Sequence, residues 1–355
     1  MHSLRRLKAS FLGQDLSLDS ISNQLDSVGV PLSEADCRTC PNPCDQPHEP
    51  YPARFNVDME SLMLGSVRPY HRQVVISTGK MDWDREITNT SGSLARHLQN
   101  VIDDAKHETA SLNGKPKRNA LSTPGVFNAS ESTATSILNG SHRSISEGSD
   151  LETVLIFPDY KLVAEVSRSK DAQKLWDSCL NPAIAREGVV IEKSPFNTWI
   201  IPYSCVILLC SHKRRDNRCS IAAAKLGQAF THELESRGWT VDTEIEHPLH
   251  SMGVPLEEYQ GTEEEQQEFV MKQLQELPGQ QKALIIRNSH MGGHRYAGNC
   301  IIYTPQGAGV WYGRVSTHEV EAIVTSTLEQ GLVLPQLLRG GVNISRPGCK
   351  SLHDW

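Results

Sequence analysis

A chain of 355 residues with 38% hydrophobic and 22% charged residues is long enough for two ordinary domains plus flexible segments, and its net charge of −7 argues against general nucleic-acid binding. The apolar run from Trp199 to Cys210 is interrupted by Pro202 and too short to span a bilayer, so no membrane association is expected. Nine cysteines, an odd number in a chain without a secretory signal peptide, point to thiols and metal ligands and away from a disulfide framework.

In chain order, residues 1–68 read as a flexible tail. Its first fourteen residues carry Arg5, Arg6 and Lys8 and no acidic residue, in the manner of a mitochondrial presequence, so a mitochondrial location is the alternative to a cytoplasmic one. Cys37, Cys40 and Cys44, followed by His48, stand among Pro41, Pro43, Pro47 and Pro50. That spacing permits a small zinc site or free thiols, and no periodic segment flanks it to favour either. Residues 69–195 form a first domain, with a strand over 73–77 and a helix over 93–104 that sets Leu94, Leu98 and Val101 on one face. Strands near 154–157 and 161–166 and a helix near 170–180 complete it. Residues 107–150, rich in Ser, Asn, Thr and Gly, read as a disordered insertion.

Residues 196–341 repeat this order more fully. A buried strand ends at Cys210, and a helix over 220–237 places Ala222, Leu226, Phe230 and Leu234 on one face before stopping at Gly238. A strand over 241–245 follows. Thr262 and Glu265 form a capping box for a helix whose Val270, Leu274 and Leu277 face the core. Then come a strand over 283–286, a hairpin of 300–303 with 310–312, and a helix over 319–329. Residues 342–355 read as a C-terminal tail.

The chemistry concentrates in Ser289-His290-Met291-Gly292-Gly293-His294 and in Cys210 and Cys219 upstream. Two histidines with three residues between them reach one centre if the backbone between them folds tightly, and Gly292-Gly293 removes the Cβ atoms that would oppose this. Cys210 ends a strand and Cys219 opens a helix. A helix N-terminus, with Lys213, Arg214, Arg215 and Arg218 close by, lowers thiol pKa and favours the thiolate that a metal needs. His212, inside the cysteine loop, is an alternative ligand or a residue that orients one; the second role is expected. Two thiolates and two imidazoles also suit tetrahedral zinc, whose common patterns space the cysteines two to four apart. Here eight residues separate Cys210 from Cys219 and seventy separate Cys219 from His290, which suits a larger cluster without excluding zinc.

These segments carry a family resemblance. Cys210-Ser211-His212-Lys213-Arg214-Arg215-Asp216-Asn217-Arg218-Cys219, together with Ser289 to Asn299, resembles the sucrase/ferredoxin-like family of thioredoxin-like ferredoxins, and within it the fungal actin-patch-distribution and altered-inheritance-of-mitochondria group. Trp311-Tyr312-Gly313 matches too, so the resemblance is good over residues 200–341 and weak before them. It implies an α/β fold: a thioredoxin-like ferredoxin domain in the C-terminal half, preceded by a degenerate thioredoxin-like domain without a cluster. It implies further that Cys210, Cys219, His290 and His294 hold a 2Fe-2S cluster, Rieske-like in replacing two thiolates by imidazoles, with a pH-coupled potential. The expected function is electron transfer with a redox protein partner. A thiol oxidoreductase using Cys210 or Cys219, and a zinc-stabilised interaction module, are the readings from other classes. His353-Asp354-Trp355 resembles terminal tripeptides that recruit the cytosolic iron-sulfur assembly machinery, although its first position departs from the usual aliphatic residue.

Overall fold

The computed structural model describes residues 17–35, 51–112, 123–184 and 194–355. Cys37, Cys40, Cys44 and His48, like the presequence-like first residues, lie outside them. The strands in chain order are β1 Arg72–Ser77, β2 Val126–Phe127, β3 Thr135–Gly140, β4 Leu151–Phe157, β5 Lys161–Ser167, β6 Asn197–Ile200, β7 Cys205–Cys210, β8 Thr240–Asp242, β9 Lys282–Asn288, β10 Cys300–Tyr303, β11 Gly309–Tyr312 and β12 Leu338–Val342. The longer helices are α1 Leu18–Asp26, α2 Leu94–Leu112, α3 Asn217–Ser236 and α4 Glu263–Glu276. All twelve strands share one sheet in the order β2-β12-β11-β10-β7-β9-β3-β1-β4-β5-β6, with β8 paired to β9 beside that path.

One arrangement occurs twice in this sheet. In the first half β3 runs parallel to β1, β4 antiparallel to β1, and β5 antiparallel to β4. In the second half β9 runs parallel to β7, β10 antiparallel to β7, and β11 antiparallel to β10. Each parallel pair needs a crossover connection, which α2 and α3 supply. Helix α3 forms because Asp216 caps it by accepting from the Arg218 N–H at 2.9 Å. Its buried face is Cys219, Ala222, Ala223, Leu226, Phe230 and Leu234, a helical spacing laid on the sheet. Burying a side chain such as Leu226 or Phe230 contributes roughly 1.5–3 kcal/mol. The capping box of Thr262 and Glu265 opens α4 as expected.

The halves meet edge to edge where β3 and β9 run antiparallel, with Gly140 opposite Asn288. Reciprocal bonds extend the seam. The Ser141 N–H donates to the Arg287 carbonyl and the Ser289 N–H to the Asn139 carbonyl, both at 2.8 Å. Ser289 Oγ accepts from the Asn139 N–H at 3.0 Å and Ser141 Oγ from the Arg287 N–H at 3.1 Å. Elsewhere the halves interlock: β2 crosses to pair with β12 at the far edge, and β6, beyond the expected boundary at 195, still pairs with β5.

Three expectations are corrected. The insertion expected to be disordered over 107–150, of which 113–122 lie outside the described residues, holds β3, a strand beside the centre of the sheet, and α2 runs on to Leu112. Polar composition hid β3 because neighbours on both sides, β1 and β9, supply its burial. The N-terminal tail contains α1, whose Leu25 is buried, and a later segment that buries Met63, Leu64 and Val67. The C-terminal tail buries Ile344 and Leu352, leaving Trp355 48% exposed.

His142 follows β3 as His290 follows β9, and it is fully buried with neither ring nitrogen hydrogen-bonded. Desolvation pulls its pKa from 6.5 down to about 4. The unfolded chain therefore takes up this proton near pH 6.5 and the folded chain only near pH 4, so stability falls as pH drops through that window. Between pH 7.5 and 5 this one residue is expected to account for about 2 kcal/mol of lost unfolding free energy. Urea titrations of His142→Phe at both pH values should show that part of the loss removed; an unchanged pH dependence would contradict it.

Candidate metal centre

Strands β7 and β9 lie side by side with Cys210 opposite Asn288, so the chain leaves both at one end of the sheet. From β7 it passes through a short loop into α3, whose first turn carries Cys219. From β9 it passes into the turn holding His290 and His294. Cys210 and Cys219 are buried, at 2% and 1% exposure. Interaction with Cys219, joined by a smaller one with His290, outweighs the opposing effect of burial and holds the Cys210 thiol pKa well below its ordinary value, while the same contact with Cys210 pushes Cys219 up. The pair thus releases one proton readily and holds the other. Cys205 and Cys300 behave oppositely to Cys210: with no such partners, burial pushes Cys205 up to about 12 and raises Cys300 too. Cys300 is a packing residue in the hairpin.

The His290 and His294 rings stand 5.5 Å apart, tilted by 40°. Nδ1 of His290 is buried and has no hydrogen-bond partner. His294 is exposed; partial desolvation and then the neighbouring His290 lower its pKa. Gly292 and Gly293 both take the left-handed conformation, with φ of 83° and 67°, which makes the tight turn possible. The Gly293 carbonyl accepts from the Tyr296 N–H at 2.8 Å and from Asn299 Nδ2 at 3.1 Å. Arg339 Nη1 donates to the Gly292 carbonyl at 3.2 Å.

His212 orients the site. Its Nδ1 accepts from the His290 N–H at 3.2 Å and its Nε2 donates to the Trp83 carbonyl at 2.9 Å, which fixes the tautomer and leaves no ring nitrogen for a metal. The segment after β1 that supplies Trp83 also meets the cysteine loop's charges. Arg214 pairs with Asp82 and Asp84, Arg215 with Glu86, and Arg218 with Asp216. Three of the loop's basic residues are thus matched to carboxylates, those of Arg214 and Arg215 coming from the first half of the chain. Tyr296 is fully buried, its hydroxyl donating to the Leu62 carbonyl at 2.8 Å, and Arg295 lies over its ring. Arg339, buried behind the histidine turn, escaped the sequence reading; an arginine inside the apolar run Leu337-Leu338-Arg339 was the signal for it.

Among the described residues no three His, Cys, Asp or Glu side chains are grouped around one point for a single metal ion. The four candidates form two neighbouring pairs, thiols and imidazoles. Also among the described residues, no helix is long and apolar enough to cross a membrane.

The sucrase/ferredoxin-like family model matches residues 63–340. The chain belongs to this family. It is 24% identical over 307 residues to altered inheritance of mitochondria protein 32 of Debaryomyces hansenii, covering 81% of this chain and 88% of that protein. It is 22% identical over 299 residues to actin patches distal protein 1 of Saccharomyces cerevisiae, covering 81% and 79%. A shorter match, 46% identical over 55 residues, covers 16% of this chain and only 20% of altered inheritance of mitochondria protein 32 of Meyerozyma guilliermondii. No solved structure matches.

A Cβ added at Gly293 would overlap the Arg339 guanidinium and meet an unfavourable φ. Gly293→Ala is expected to cost at least about 1–2 kcal/mol, the penalty of the left-handed backbone alone. Gly279→Ala, in open space, should stay within about 0.5 kcal/mol of the parent. Urea unfolding of the two variants makes the comparison, and equal stabilities would show that the turn is not constrained.

Proposed function

We propose that this protein is an electron carrier whose 2Fe-2S cluster is held by Cys210, Cys219, His290 and His294. The observation that carries the reading is the pairing of two buried thiols, one with a depressed pKa, beside two imidazoles of which one has an orphaned buried nitrogen. The donor set fits: thiolates and neutral imidazoles are the ligands of Rieske-type centres, and separate pairs suit two irons better than one ion. When bound, the cluster supplies a one-electron couple. The chain's residues do the rest. Cys210 and Cys219 exclude water from the sulfur side, His212 and Arg339 fix the turn, and exposed His294 gives a route for protons and electrons at the surface.

The repeated strand order, with each first strand flanked by a parallel and an antiparallel neighbour, supports a thioredoxin-like ferredoxin domain in the second half and a degenerate thioredoxin-like copy in the first. In the copy, Ser77 stands where Cys210 stands, since Ser77 pairs with Gly140 as Cys210 pairs with Asn288. A location in the cytoplasm, or in mitochondria as the relatives' name would fit, is part of the proposal. So are a redox protein partner and the cytosolic iron-sulfur assembly machinery, for which Trp355 offers an exposed terminal ring. The thiol oxidoreductase reading rests on the Cys210–Cys219 pair alone.

Purification under argon, with iron and sulfide assays and optical spectra, tests the proposal. Two irons and two sulfides per chain and a red-brown colour bleached by dithionite are expected, and Cys210→Ser or His290→Ala should each remove most of the colour. The midpoint potential should fall as pH rises across neutrality, because the reduced form binds a proton more tightly. Stoichiometric zinc without iron would replace the cluster by a structural ion. A disulfide reductase activity surviving the double variant His290→Ala/His294→Ala would favour the oxidoreductase.

A further inference from the structure

Arg339 lies in β12, 1% exposed. Its Nη1 donates to Asn299 Oδ1 at 2.7 Å and to the Gly292 carbonyl, and its Nε donates to Ser66 Oγ at 3.1 Å. The rings of Tyr296 and Trp311 lie 5.8 and 5.7 Å from the guanidinium carbon. Every one of these partners is neutral. Among the described residues no carboxylate forms an ion pair with Arg339, whereas Arg214, Arg215 and Arg218 nearby are all matched to carboxylates. Its bond to the Gly292 carbonyl sets it directly against the turn that carries His290 and His294. Burial lowers its pKa to about 10, so it remains a cation at neutral pH.

A buried cation without a counter-ion is costly, and neutral hydrogen bonds offset only part of that cost. The charge it lacks would come from the centre held at the turn it braces, since its Nη1 is bonded to the Gly292 carbonyl between His290 and His294. We propose, resting on the 2Fe-2S reading, that Arg339 is a positioning residue that serves as the fixed counter-charge of the loaded centre and raises its reduction potential. Taking up one electron from a donor makes the centre one unit more negative, with no bond broken, and a guanidinium held in a low-dielectric setting favours that state. The same residue braces the turn by seating Gly292 and Gly293 against its fork, so charge and shape come from one side chain.

The test is a reductive titration under argon, followed optically, of the iron-loaded full chain carrying Arg339→Met, Arg339→Gln or Arg339→Lys, with Arg214→Gln as a surface control. Both neutral variants should shift the reduction equilibrium at least tenfold toward the oxidised form, about 59 mV or more for one electron. Arg339→Lys should stay within threefold of the parent. Arg214→Gln should shift it less than twofold, and that shift should vanish at high salt. Neutral variants within twofold of the parent, or a lysine variant displaced as far as they are, would overturn the inference. If the neutral variants lose iron during purification, release of iron from Arg339→Lys to a chelator decides. Release within threefold of the parent supports the charge role; release as fast as from the neutral variants refutes it. An iron-free parent protein would instead bring down the cluster reading itself.

Discussion

The alignment of β7 with β9 determines everything else about the site. Cys210 and Asn288 stand opposite each other at the ends of two parallel strands, so the loops that leave them emerge together beside the N-terminus of α3. Crevices at the carboxyl ends of parallel strands are where open α/β sheets bind their ligands, because backbone and helix ends there are free to receive one. A shift of one residue in this register would turn the Cys210 side chain to the opposite face of the sheet and separate the thiols. The hydrogen bond from the His290 backbone to His212 ties the two loops directly. Since His212 is itself held by the Trp83 carbonyl, the first half of the chain also takes part in setting the histidine turn.

Charge around the site is sorted by depth. At the surface, acidic Asp82, Asp84 and Glu86 meet Arg214 and Arg215, and such exposed pairs contribute little energy each but leave little net field. Beneath them, Arg339 keeps its charge without a carboxylate. Cysteine behaviour follows the same division. Cys205 and Cys300 are as buried as Cys210, yet burial drives their thiols toward the neutral form while the interaction with Cys219, and behind it His290, drives Cys210 toward the thiolate.

The sequence disclosed the second half well. Its apolar periodicity, the capping box at Thr262 and the stop at Gly238 are local signals, and local signals set helices and strand ends. The four ligand candidates were legible for a similar reason: glycine pairs and strand-end cysteines mark themselves. The first half was read less well. Strand β3 carries too few apolar residues to stand out, and its place beside the centre comes from partners far away in sequence. The fate of the basic loop was also illegible, since Arg214 meets acids some 130 positions earlier, a pairing that only the tertiary fold creates. Arg339 shows the limit most clearly, because its importance lies in what it lacks, a carboxylate, and no pattern of residues announces an absence.

The two halves place different chemistry on the same arrangement of strands. Where the second half has Cys210 and His290, the first has Ser77 and His142. Ser77 donates to Glu152 at 2.7 Å and accepts from the Thr153 N–H at 2.8 Å, and Arg168 closes over Glu152, so the position of the thiol is filled by a satisfied polar network. His142 is sealed in, neutral, where His290 reaches the surface turn. This half has a mechanical part to play. It supplies β3 to cover the open edge of β9 and the acidic segment that pins the cysteine loop. Both contacts restrain the strand ends from which the loops carrying Cys210, Cys219, His290 and His294 depart, so the positions of those four side chains are set by the whole sheet and not by the second half alone.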